Sequence, residues 1–236
     1  MMRGLEAFEE TERLIVVAAH PDDLETMVGG TVALLIERGV RVFSVNCTLG
    51  DIGAEDPAVA RLSLANMRLQ ETEAAGQLMG IEHTVNLGYH DGELLPGLEL
   101  RARLARLYRI TQADTLWTFD PFWTGQIHPD HRAAGQAALD AFMPSKMPLY
   151  RPEQLNEPDA DLSQLQRIFV FATDRDPDVY VDVSAVYEKK LAACMAHTSQ
   201  FPEGEQSLEW MKELDAERGK TIGVAYAETL KQIGVW

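Results

Sequence analysis

Two short clusters in this 236-residue chain set imidazoles beside carboxylates: Ala19-His20-Pro21-Asp22-Asp23, with Glu25 close behind, and His128-Pro129-Asp130-His131. Zinc accepts imidazole nitrogen and carboxylate oxygen, and catalytic zinc sites use three protein ligands plus a water position. His20 and Asp23 are three residues apart, so a tight turn or a helix start brings both to one point. His131 can supply a third donor from the beginning of another helix. Asp22 and His128 then stand nearby without a metal bond, and a carboxylate base with an imidazole acid are the residue types hydrolysis needs. A metal lowers the pKa of its water from about 15.7 to about 7, so a modest base suffices. Each cluster alone has a plainer reading: Asp22 or Asp23 as a helix N-cap, and His128-Pro129 as a helix start with proline in the first turn. Together, each after a strand, they favour a metal site equipped for hydrolysis.

The elements that must position these clusters follow from periodicity. Leu14–Ala19 is a continuous apolar run, as in a strand buried on both faces. Thr26–Arg38 has helical spacing through Val28, Val32, Leu35 and Ile36, with Gly39 as the stop. Val40–Cys47 reads as a strand, Thr48–Asp56 as a loop, Pro57–Gly80 as a long helix and Thr84–Leu87 as a short strand. Leu98–Ile110 reads as helix, Thr115–Phe119 as strand and His128–Phe142 as helix. This alternation predicts a Rossmann-like α/β fold, with a mostly parallel sheet and helices on both faces. Ligands in such sheets bind beyond the C-terminal strand ends, where both clusters fall. After Phe142, Pro144, Pro148, Pro152 and Pro158 mark an irregular connection. Strands over Ile168–Ala172 and Val179–Val183, a helix over Ser184–His197 and a helix over Ser207–Leu230 follow. These C-terminal strands and helices are expected to cover the sheet, in one domain spanning residues 1–236.

Composition bounds the partners. An apolar fraction of 46 % allows a sizeable core. The formal net charge of −16 repels phosphate backbones and anionic lipid, so nucleic-acid and membrane partners are not expected. No apolar run is long enough to span a bilayer, and the acidic start lacks the apolar stretch of a secretory signal, so a cytoplasmic location is the expectation. Cys47 and Cys194 read as buried, inert thiols.

The ordered set of motifs resembles the LmbE/PIG-L-like zinc-dependent N-deacetylase family over roughly Leu14 to Phe142. Its pieces are AHPDD at 19–23, Glu25, GGT at 29–31, TLGDIG at 48–53, Arg68 with Glu71, DGEL at 91–94 and HPDH at 128–131. HTSQ at 197–200 looks like a late element of the same family. The resemblance implies one zinc per chain on His20, Asp23 and His131. It implies Asp22 as general base, His128 as oxyanion stabiliser or general acid, and Asp130 as the group that orients His128 and favours its protonated form. Arg68 and Asp91 match positions that hydrogen-bond sugar hydroxyls; otherwise Arg68 pairs with Glu71 or Thr72 on a helix face and Asp91 serves the turn at Gly92. A homo-oligomer is also favoured by the resemblance. The implied reaction removes an N-acetyl group from an N-acetylglucosamine conjugate or related amino sugar, a small-molecule substrate.

One position departs. Some members carry a tyrosine two residues before the first histidine of the second cluster, and here that position is Gln126. In the same loop, Phe122 and Trp123 either stack on a sugar or cover the core. His197 either faces the pocket or caps local structure, while His83 and His90 read as surface or turn residues. Two histidines and one carboxylate also suit Fe2+. Three rivals stand beside the deacetylase: an amidase on a thiol conjugate or other acylated amine, a metal-binding module without catalysis, and a dinucleotide-dependent dehydrogenase. The last needs G-x-G-x-x-G after the first strand, where this chain has HPDDLE.

Overall fold

The computed structural model describes residues 2–235. Eight strands form one mixed sheet: β1 (Met2–Arg3), β2 (Arg13–Ala18), β3 (Arg41–Thr48), β4 (His83–Tyr89), β5 (Thr115–Phe119), β6 (Arg167–Phe171), β7 (Val179–Asp182) and β8 (Ala227–Ile233). Their order is β1-β7-β8-β6-β5-β2-β3-β4. Pairing is parallel throughout β4-β3-β2-β5-β6, with Val16 opposite Ser44 on one side and Trp117 on the other. β8 runs antiparallel to both β6 and β7. This is the Rossmann-like α/β arrangement, extended at one edge by the C-terminal strands.

Six helices cover the sheet: α1 (Asp23–Glu37), α2 (Arg61–Met79), α3 (Leu98–Thr111), α4 (Pro129–Ser145), α5 (Tyr187–Met195) and α6 (Glu209–Ile222). α1, α2 and α5 pack on one another, and α3 packs on α4. The strand expected over Leu14–Ala19 is β2, and burial of Leu14 through Ala18 explains its unbroken apolar run. α1 begins three residues earlier than its apolar spacing suggests, so Asp23 and Glu25 lie in its first turn.

The late chain differs most from expectation. The helix expected over Ser207–Leu230 is α6 as far as Ile222; Gly223, with φ of 80°, ends it, and residues 227–233 form β8. The helix expected over Ser184–His197 is α5 preceded by a short 3-10 turn at Ser184–Val186. No described helix is long and apolar enough to cross a membrane.

The strand order reverses between β2 and β5, since β2 continues to β3 on one side and β5 to β6 on the other. That reversal opens a crevice at the C-terminal strand ends. Both histidine–aspartate clusters leave the sheet at this point. Gly135 brings α4 close to it: a Cβ there would lie 2.5 Å from the carbonyl oxygen of Phe119, so α4 packs directly on the end of β5.

Candidate active site

The chain leaves β2 through Ala19-His20-Pro21 and turns sharply at Asp22, whose φ of 100° is unfavourable for any residue with a Cβ. Such a conformation costs on the order of 1–3 kcal/mol and persists only where neighbours hold it. Asp22 occupies the N-cap position of α1, but its side chain makes no capping bond. Its Oδ2 instead accepts from Arg68 Nη2 (2.9 Å), and the same nitrogen donates to the Pro21 carbonyl. Arg68 Nη1 donates to the Gly50 carbonyl (2.9 Å). The guanidinium lies flat on Gly50, where a Cβ would fall 2.2 Å from Nη1 and where φ is +61°, so the position admits only glycine.

Asp23 folds back onto its own strand end. Its Oδ2 accepts from the backbone N–H of His20 (2.7 Å) and Ala19 (3.1 Å). Its Oδ1 lies 3.3 Å from His131 Nε2, and Oδ2 lies 3.3 Å from His20 Nδ1. The two facing nitrogens, His20 Nδ1 and His131 Nε2, are 3.2 Å apart.

What stands behind each ring decides which nitrogen carries its proton. His20 Nε2 faces the carboxylates of Asp91 (3.0 Å) and Asp130 (3.4 Å). His131 Nδ1 faces Gln126 Oε1 (3.2 Å). These partners are acceptors, so Nε2 of His20 and Nδ1 of His131 are the protonated atoms. The opposite nitrogens then present lone pairs to one point beside the Asp23 carboxylate, an arrangement that a cation satisfies. Tetrahedral ligands on bonds of about 2.0 Å stand about 3.3 Å apart, so His20, His131 and Asp23 fit a zinc-sized divalent ion. Donor atoms of His128 with His20 and His131, and of Asp91 and Asp130 with His20, also lie within 4.8 Å of one another. The outward orientation of the Asp91 and Asp130 contacts makes those two carboxylates supports of His20.

His131 is held between Phe119 (centroids 3.9 Å, planes 12° apart) and His128 (4.5 Å, 21°). Pro129 occupies the first turn of α4, and His128 caps that helix by accepting from Asp130 N at Nδ1 (3.2 Å). A capped Nδ1 leaves the proton on Nε2. Burial holds the His128 pKa below its ordinary value, so it stands as a neutral imidazole with one free N–H. The Asp22 carboxyl is pushed up to about 6 by burial, against the pull of Arg68.

All eight residues singled out in the sequence therefore meet at one place, with three contacts unlike those expected. The Asp130 carboxylate accepts from Gly92 N (2.7 Å) and Leu94 N (3.3 Å) and reaches His20, while its link to His128 runs through the backbone. Arg68 and Asp91, matched to sugar contacts, are buried and engage Asp22 and His20. Two residues carry weight that the sequence reading did not give them. Gln126 is buried against His131. Asp51 joins the two loops over the pocket, accepting from Asp91 N (2.8 Å) and Arg61 Nε (2.9 Å) with His90 Nδ1 at 2.8 Å. The clue to Asp51 was its place between Gly50 and Gly53 at a strand end.

A family model described as PIG-L, GlcNAc-PI de-N-acetylase, matches residues 15–142. The diacetylchitobiose deacetylase of Thermococcus kodakarensis is 29 % identical over 96 % of this chain and 85 % of its own length. A probable N-acetyl-alpha-D-glucosaminyl L-malate deacetylase of Bacillus cereus is 32 % identical over 79 % of this chain and 83 % of its own. The solved N,N'-diacetylchitobiose deacetylase from Pyrococcus horikoshii superposes with a TM-score of 0.89 at 30 % identity, covering 96 % of this chain and 85 % of that one. The match spans the strands and helices that carry every residue of the pocket, and the chain belongs to the PIG-L (LmbE-like) deacetylase family.

Proposed function

We propose that this protein is a zinc-dependent hydrolase that removes the acetyl group from an N-acetylglucosamine conjugate or related amino sugar, and that it works as a homo-oligomer of one-domain chains. The observation that carries this reading is the convergence of His20, His131 and Asp23 at 3.2–3.3 Å, with Asp22 held beside them by Arg68. The relatives' deacetylase activities support the bond type.

Zinc held by these three residues supplies Lewis-acid polarisation of the amide carbonyl and a water that ionises near neutral pH. Asp22, half-buried and reachable from the crevice, takes the proton from the attacking water. Its neighbour Asp23 cannot do so, because both its oxygens are engaged. As the carbonyl oxygen gains charge, the Nε2–H of His128 donates to it, a contact formed fully only in the transition state. The departing amine then takes the proton back from Asp22. Asp91 and Asp130 keep His20 in the tautomer that offers Nδ1, and Gln126 does the same for Nε2 of His131.

Metal analysis with acetate release from N-acetylglucosamine and its β-linked dimer tests the reading. The purified protein is expected to hold about one divalent ion per chain. Asp22→Asn should keep the metal and lose roughly 10²–10⁴-fold in rate. Protein that binds no divalent metal would sink the proposal. Release from thiol conjugates or other acylated amines, with none from sugars, would select the amidase reading. Full metal with no release from any of these substrates would leave a metal-binding module, and an undiminished rate in Asp22→Asn would remove Asp22 as the base.

A further inference from the structure

His197 is buried just beyond α5, and nothing in the chemistry above uses it. Neither ring nitrogen has a hydrogen-bond partner among the described residues. Glu25 Oε2 lies 3.6 Å from Nε2, an ion-pair approach beyond hydrogen-bond reach. Burying an imidazole with both nitrogens unpaired is unfavourable, so its place is not explained by packing alone.

The turn that carries this ring is tied down with unusual completeness. Thr198 Oγ1 (2.9 Å), Ser199 N (2.7 Å) and Ser199 Oγ (2.7 Å) all donate to the carboxylate of Glu71 on α2. Gln200 Nε2 donates to the carbonyl of Gly53 (3.0 Å), in the loop that also supports Arg68. Glu71 follows Arg68 by three residues, which is one helical turn. On the other side, Glu25 follows Asp22 by three residues, so His197 meets α1 at its first turn, where Asp22 leaves the strand end.

We propose that the His197–Gln200 turn, fastened through Glu71 to the helix that carries Arg68, is a positioning device that holds Asp22 in its working orientation. The inference rests on the reading of Asp22 as the base. Asp22 has a backbone conformation that its own preferences oppose, and a brace on each side keeps it there. Arg68 is one arm, through Pro21 and Asp22; His197 against Glu25 is the other; Glu71 sets the distance between them.

The test compares Glu71→Ala with Glu71→Gln in the full chain, reading kcat, KM, metal content and amide exchange. Displacing a catalytic group by about 1 Å costs roughly 10²-fold, so Glu71→Ala should lower kcat by about 10–100-fold. KM should stay within about threefold, because the lost contact orients the base and does not hold the substrate. Metal content should stay full. Glu71→Gln, which keeps a carbonyl acceptor for the turn, should recover part of the rate. The amide of Thr26, which donates to the Asp22 carbonyl (3.0 Å), should exchange faster in Glu71→Ala, as should that of Ser199. Faster exchange at Ser199 with Thr26 exchange and kcat unchanged would overturn the proposal and leave the turn a packing feature. If Glu71→Ala does not fold, Ser199→Ala removes one donor from the other side and carries the same comparison. A wild-type protein that releases no acetate would overturn the functional reading, while Thr26 exchange would still decide whether the turn braces Asp22.

Discussion

The proton on each pocket histidine is placed by the group behind its ring, and Gln126 is the most instructive of these groups. Its Oε1 is the acceptor that leaves His131 Nε2 free, and Phe119 and His128 keep the ring from rotating. Supports of this kind typically contribute 10–100-fold to metal affinity, so Gln126→Leu should weaken zinc binding by about that factor without unfolding the protein. Competition against a chelator of known affinity measures it; unchanged affinity would remove Gln126 from the support set. The residue types of the site were legible in the sequence because imidazole and carboxylate at strand ends have few structural reasons to be there. Their partners were not. Gln126 stands five residues before His131, Asp91 is 71 residues from His20, and Arg68 is 46 from Asp22. Only the folded crevice brings them within contact, and no local pattern encodes which oxygen faces which ring.

Among the elements, the loops that follow β3 and β4 form the roof of the pocket, and Asp51 joins them. Arg61 and His90 hold its carboxyl at about 2, below its ordinary value near 3.8, although burial alone would raise it. A depressed folded value means that the carboxylate stabilises the fold at every pH above the ordinary value. That contribution fades as pH falls through about 2. Asp51→Asn should therefore lower stability by roughly 1–2 kcal/mol at neutral pH, because it keeps an acceptor for Asp91 N but sets an N–H2 against Arg61 and His90. Arg61 is about half exposed, which keeps the loss small. The gap between wild type and variant should close below pH 4, as followed by denaturant unfolding across a pH series; a gap independent of pH would contradict this account. Element types were readable wherever burial is periodic or continuous, as in β2, α1 and β5. β8 was not readable, because Ala-Glu-Thr-Leu-Lys-Gln-Ile is made largely of good helix formers. It is a strand because Glu228 is buried as an acceptor for Gly30 N (2.9 Å), Thr31 N (2.7 Å) and Thr31 Oγ1 (2.6 Å), paired with Lys190 Nζ at 2.8 Å. Tertiary pairing overrides local propensity there.

At the scale of the molecule, that same buried cluster ties the C-terminal strands to α1, so the late segment that extends the sheet also steadies the helix that begins at Asp22 and Asp23. GGT at 29–31 is thereby explained as a seat for Glu228, in mid-helix and far from any phosphate-binding role. Three exposed aliphatic side chains belong to the segments next to Asp91 and His128. Leu95 is 76 % exposed, Leu98 70 % and Ile127 81 %. The bond from Leu94 N to Asp130 ties the first of these segments to the start of α4. Large aliphatic side chains left in water are unfavourable, and several on adjoining segments fit a contact surface. With a net charge of −16 the surface as a whole repels its own copies, so these apolar side chains are the place to test for contact in the homo-oligomer proposed above. The chain should sediment as an oligomer at micromolar concentration, and Leu98→Glu, which sets a charge among them, should shift it toward monomer with its fold intact. A wild-type protein that sediments as a monomer would return these side chains to the substrate. It would then predict that conjugates with apolar aglycones are deacetylated faster than the free sugar.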